Sequence, residues 1–280
     1  VVLIFLHLFC FGPTRDALAY SAQSASYKLK SGTPVLNGEA LPVPYTKLLL
    51  HNDGVDGTTS FTDAAGNHSI TNNGLPDTNT KLLLHCNGAD GITAFVDDTG
   101  KAVASNGNVQ IGTAESKFGT AGALFDGNGD YLTLPDSDDW DFNSDLATSC
   151  TIDFWLYPTD FSVEYGYFGQ FGADTSQGFL AYTQVGVTTA ILSVSAYQGN
   201  STSGFGNVSG TITKNVWQHI AIVKVGGGSS ATWTMYVNGV ATSSASQTST
   251  INFSNTFDIG RCRLAGGAVN YLNGWIDELR

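Results

Sequence analysis

The stretch Thr151 to Pro158, TIDFWLYP, reads with a period of two, and Thr232 to Val237, TWTMYV, keeps the same rhythm. Such alternation marks a β-strand with one face in a core, because successive side chains leave a strand on opposite sides. Similar short runs, bounded by Gly, Asn, Asp or Ser turns, lie on either side. They are KLLLHC (Lys81 to Cys86), ALFDG (Ala123 to Gly127), YLTLP (Tyr131 to Pro135), YFGQF (Tyr167 to Phe171), GFLAYTQ (Gly178 to Gln184) and AILSVSAY (Ala190 to Tyr197). WQHIAIVKV (Trp217 to Val225), FDIGR (Phe257 to Arg261) and GWIDEL (Gly274 to Leu279) complete the series. Many strands at this spacing, with no convincing helix, predict an all-β, two-sheet antiparallel sandwich.

Upstream, KLLLHNDGVDGTTSFTDAAG from Lys47 recurs imperfectly as KLLLHCNGADGITAFVDDTG from Lys81. Two copies are too few for a solenoid, which needs roughly three or more. Only the second is followed by a domain's worth of strands, so the first is an orphan strand repeat that needs a receiving sheet. Residues 12 to 46 read as an extended arm interrupted by Pro13, Pro34, Pro42 and Pro44. The expected organisation is an apolar segment and arm over 1–46, the orphan repeat and linker over 47–80, and the sandwich over 81–280. Val1 to Phe11, VVLIFLHLFCF, is too short to span a bilayer comfortably. Three readings of it stand: a retained, buried segment, a targeting remnant with Ala17 and Ala19 as an A-x-A-like cleavage site, or a membrane-associated segment.

Charged residues are 13% of the chain, Gly numbers 33 and the net charge is -12. That mixture suits an extracellular or cell- or virion-surface domain. It excludes nucleic acid as a partner, since no basic stripe exists to neutralise phosphates. Cys10, Cys86, Cys150 and Cys262 contain no CxxC pair, so zinc is disfavoured; their three possible pairings, or none, stay open.

The order SKFGTAGALFDGNGDYLTLPDS (Ser116 to Ser137), TIDFWLYP, WQHIAIVKV, TWTMYVNGV and GWIDELR resembles the laminin-G-like, concanavalin A-like jelly-roll superfamily over about residues 81 to 280. The resemblance implies a jelly roll in which Gly127 and Gly129 form a tight turn and Asn238-Gly239 a type I′ hairpin. It also implies that Trp155 and Trp217 supply core packing. It leaves function open, because this superfold hosts lectins, adhesion domains and hydrolases.

Hydrolases of this fold need two suitably separated carboxylates, whereas TIDFWLYP offers only Asp153, and Asp277 and Glu278 are adjacent and so point to opposite faces. A binding or structural protein is therefore expected rather than an enzyme. Asp126, Asn128 and Asp130 form D-x-N-x-D, the first ligand positions of a calcium loop, although Tyr131 and Ser137 stand where Gly and Glu are required. Calcium is the one cofactor with a place here, against a glycine turn capped by its own carboxylates. Aromatic rings stack on sugars, and Trp140, Tyr165, Tyr167 and Tyr197 are the candidates, with ordinary packing as the competing reading; no glycan site is fixed. His51 and His85 read as edge histidines. Asn67, Asn200, Asn207 and Asn252 are glycosylation sequons expected on surface loops. The leading expectation is a structural subunit that polymerises with itself through Val1, Leu3, Phe5, Leu8, Phe11, Leu48 and Leu50. The alternative is a lectin-like module that binds surface glycans without assembling.

Overall fold

The structure is a computed structural model and describes residues 76, 79–171, 177–198, 207–263 and 269–280, with four short strands nearer the N-terminus. The chain divides into two compact units, Val1–Asn73 and Gly74–Arg280. In the first, β1 (Val35–Leu36) pairs antiparallel with β2 (Glu39–Ala40), and β3 (Ser60–Thr62) with β4 (Ser69–Thr71). The expected assembly residues Val1, Leu3, Phe5, Leu8, Phe11, Leu48 and Leu50, and His51, lie outside the described residues.

The second unit is an antiparallel sandwich of two seven-stranded sheets. In spatial order, sheet one holds β13 (Val208–Thr213), β12 (Thr189–Gln198), β11 (Gln177–Thr183), β10 (Gly166–Phe171), β17 (Phe257–Ile259), β8 (Tyr131–Leu134) and β5 (Ala104–Asn106). Sheet two holds β16 (Val240–Gln247), β15 (Ala231–Val237), β14 (Gln218–Gly226), β9 (Cys150–Pro158), β20 (Asn273–Asp277), β7 (Gly122–Asp126) and β6 (Gln110–Gly112). A hairpin of β18 (Arg261–Arg263) and β19 (Val269–Tyr271) is separate from both. Among the described residues no helix is long and apolar enough to cross a membrane.

The core lies between the sheets. Phe154 on β9 meets Phe168 on β10 edge to face at 6.1 Å, Phe168 stacks on Phe179 at 5.7 Å, and Phe179 reaches Trp233 on β15 at 5.8 Å. Such aromatic pairs add roughly 0.5–1.5 kcal/mol each beyond the area they bury. Ile220 and Ile222 on β14 and Leu192 and Val194 on β12 fill the space around them. Two turns match their sequence signals. Asn238 and Gly239 both take positive φ, 52° and 77°, as a type I′ turn demands. Gly127 and Gly129 each take φ 84° between β7 and β8.

Three expectations need correction. Trp155 and Trp217 are only half-buried and lie outside the core cluster. The alternation on β9 runs Ile152, Phe154, Leu156 inward, which turns Trp155 out. The core tryptophans are Trp140 and Trp233. KLLLHC is not a strand but makes one bridge, Leu84 to Leu279. The Leu83 amide donates to Asp97 Oδ1 and the Leu83 carbonyl accepts from the Asp98 amide, so neither group joins a strand ladder. Leu82, Leu84 and Cys86 nevertheless point alternately into the core. Finally, β13 and β16 are strands that the apolar runs did not reveal, because VSGTIT and VATSSASQ are built mainly of small and hydroxyl side chains.

Trp233 is fully buried and its indole N–H donates to Gln247 Oε1 at 2.9 Å. Trp233→Ala should cost about 3–5 kcal/mol in urea unfolding, and Trp155→Ala clearly less. Equal costs would contradict this division of inner and outer tryptophans.

Candidate functional site

The same alternation that fills the core gives sheet two an outer face, with Asp153, Trp155 and Tyr157 projecting from β9 at its centre. On β14, His219 stands opposite Trp155. On β20, Trp275 stands opposite Tyr157, and Asp277 opposite Trp155. Trp217, just before β14, brings its ring to 5.5 Å from that of Tyr157 at 50°, and Trp155 lies 5.2 Å from the His219 ring at 51°. Trp155, Tyr157, Trp217 and His219 are all partly exposed. The face is therefore a patch of aromatic rings open to solvent.

Residues 113–121, between β6 and β7, cross one side of this face as a strap. The Lys117 and Phe118 amides donate to Asp277 Oδ2 at 2.8 and 2.9 Å, so a fully buried carboxyl fastens the strap to the sheet. Burial holds that carboxyl above the usual range. Phe118 meets Trp155 edge-on at 5.7 Å, and Lys117 Nζ lies 4.0 Å from the centre of the Trp155 ring. Trp275 is sealed beneath the same side. A Cβ on Gly112 would come within 2.5 Å of its ring, so only glycine fits there.

Polar groups border the rings. Asp153 Oδ1 lies 3.2 Å from His219 Nε2, and Oδ2 accepts from Arg280 Nε at 2.8 Å. Burial pushes the Asp153 carboxyl up, but the bonds from His219 and Arg280 outweigh it and hold the pKa below the ordinary value. The pKa of the Tyr157 hydroxyl is raised by burial and by the nearby charge of Glu115.

The residues singled out from sequence lie elsewhere. Trp140, Tyr165, Tyr167 and Tyr197 are all buried. Trp140 stacks on Phe257 at 5.3 Å, Tyr165 donates to Asp160 Oδ2 at 2.6 Å, and Tyr197 packs over Gly178. The signal for the exposed rings was the phase of β9, which sets Trp155 and Tyr157 on the face of Asp153.

In the D-x-N-x-D turn, Asp130 accepts from the Asn108 and Asp126 amides at 2.7 and 3.0 Å, and Asp126 accepts from the Asn128 amide at 2.7 Å. Those oxygens already cap backbone, which fits calcium poorly. Glu278, at φ 52°, bonds His85 Nδ1 at 2.8 Å. It shares no face with Asp277. Asn207 and Asn252 are exposed, whereas Asn67 and Asn200 lie outside the described residues. Cys86, Cys150 and Cys262 are free thiols, and burial raises the pKa of Cys150 to about 11; Cys10 lies outside the described residues. A cleft of about 860 Å³ at one end of the sandwich includes Lys224, whose ammonium is already bonded to the Phe142 and Asp145 carbonyls.

The family model described as the concanavalin A-like lectin/glucanases superfamily matches residues 126–280, more than half of the chain. A search of the curated proteins finds no match. Among solved structures, the binding domain of botulinum neurotoxin serotype D is 14% identical with a TM-score of 0.46, over 71% of this chain and 47% of that one. Botulinum neurotoxin type C, whose cell entry depends on interaction with two ganglioside molecules, is 15% identical with a TM-score of 0.47, over 71% and 46%. Domain 4 of AbnA, an extracellular arabinanase from Geobacillus stearothermophilus in complex with arabinotriose, is 18% identical with a TM-score of 0.43, over 66% and 84%. The chain thus spans about half the length of the neurotoxin structures.

Asp130→Ala should cost about 1–3 kcal/mol, since it orphans two amides, and the loss should be the same in calcium or chelator. A calcium-dependent loss would instead establish a metal site. Asp153 has a depressed folded pKa, so its stabilisation is full above its unfolded pKa, about 3.9, and vanishes as pH falls through the folded value. Asp153→Asn should flatten the acid limb of the stability curve below about pH 4. An unchanged acid limb in urea unfolding would refute the clamp.

Proposed function

This chain belongs to the concanavalin A-like lectin/glucanase superfamily, and we propose that it is a carbohydrate-binding, lectin-like module of an extracellular or surface protein. The observation that carries this reading is the open aromatic patch of Trp217, Tyr157 and Trp155 beside His219, Asp153 and Arg280. A pyranose ring has an apolar C–H face and a rim of hydroxyls. Aromatic rings accept the first, and charged or imidazole groups bond the second.

The same geometry supports binding without turnover. Glycoside hydrolysis needs two carboxyls that flank one bond. On this face Asp153 is held between Arg280 and His219, and Asp277 is sealed beneath the strap. Neither stands free to protonate a leaving oxygen. The self-assembly reading rests on the sequence repeat and the apolar N-terminal run alone. The family match supports binding ahead of it.

Wild-type protein should be retarded in native gels containing its polysaccharide ligand, and Trp217→Ala or Tyr157→Ala should weaken that retardation about tenfold or more. A protein that runs unretarded through a broad polysaccharide panel would overturn the proposal.

A further inference from the structure

Among the described residues, Lys117 is the cation without a counter-ion. Lys81 and Lys101 meet Asp139 at 3.5 and 2.9 Å, Lys214 meets Asp160 at 3.9 Å, and Lys224 meets Asp145 at 3.8 Å. Arg261 and Arg280 meet Asp258 and Asp153 at 2.7 and 2.8 Å. Among the lysine and arginine side chains described, Lys117 alone has no carboxylate at ion-pairing distance. Its ammonium lies over Trp155 instead, 4.0 Å from the ring centre. Carboxylates are not scarce, for the chain has 24 acidic residues against 12 Lys and Arg. Nearby acids are committed elsewhere. Glu115 acts on the Tyr157 hydroxyl, Asp277 accepts the strap's amides, and Asp153 is shared by Arg280 and His219.

We propose that Lys117 receives the carboxylate of a uronic-acid-containing saccharide whose ring stacks on Tyr157 and Trp217. This inference rests on the carbohydrate reading and names its ligand class. Trp155 and Tyr157 are two positions apart on β9, so their backbone positions lie about 7 Å apart along the face, and the Lys117 ammonium sits over the Trp155 ring. The cation–π contact positions the ammonium over Trp155, and its N–H groups remain available for a charge-assisted bond. The net charge of -12 does not forbid an acidic ligand. At physiological salt the screening length is about 8 Å, so distant carboxylates act weakly while a contact pair persists.

The test uses the full chain and three uronate polymers, polygalacturonate, alginate and glucuronoxylan, each beside its carboxyl-reduced form. Affinity electrophoresis should show at least one acidic polymer bound roughly tenfold more tightly than its reduced partner. Lys117→Met should lose that preference and Lys117→Arg keep it, with thermal melts confirming that both variants fold. Wild type binding both forms equally, or Lys117→Met retaining the preference, would overturn the inference while leaving carbohydrate binding intact. Binding to none of these polymers would overturn it as well; retardation by a neutral polysaccharide would then show the broader reading surviving, and its absence would end both.

Discussion

The alternation of side chains along β9 is the constraint from which both core and candidate site follow. Because β9 sits mid-sheet between β14 and β20, it has no free edge, and each side chain must go either into the sandwich or onto the outer face. Phe154 and Leu156 go inward, so Trp155 and Tyr157 cannot. A one-residue slip of register would exchange the two sets and place Asp153 in the core, which burial of an unpaired charge forbids. The outer aromatic patch is thus fixed by the same pairing that forms the core.

Asp277 extends this logic to the neighbouring loop. It occupies the outer face of β20 yet is fully buried, because the strap lies over it and offers two amides. A carboxyl so enclosed costs desolvation, and the two bonds offset that cost only while the strap stays in place. Phe118 and Lys117 are held against Trp155 by this anchor, and the sealed Trp275 depends on Gly112 beside it. One half of the face is thereby closed and the other left open.

The fold was legible because most strands carry their own signal in apolar alternation and turn residues. The Asn238-Gly239 turn could be named to its type, since both residues adopt the positive φ that such a turn requires. The serine- and threonine-rich β13 and β16 were not legible. Their hydroxyls bond across the sandwich, as where Ser243 Oγ donates to the Ser209 carbonyl at 2.9 Å, and no local pattern announces a partner so distant in sequence. The outer rings were misplaced for a different reason. The resemblance put Trp155 and Trp217 in the core, whereas the acid at Asp153 had already marked the outer side of β9. Tyr165 and Tyr197 went the other way, drawn inside by Asp160 and by the space over Gly178. Phase decided where residue type did not.

The repeat gains a physical meaning from its second copy. Leu82, Leu84 and Phe95 belong to the core, Asp97 bonds the Leu83, Thr99 and Lys101 amides, and Asp90 accepts from the Thr113 amide. Their counterparts Leu48, Leu50, Phe61, Asp63 and Asp56 repeat the same residue types. The residue types repeated are therefore those that pack the core and cap backbone in the second copy. Lys117, Trp155 and Trp217 fall outside both copies. The second copy supports the fold, and the recognition proposed for this chain falls to residues that occur once.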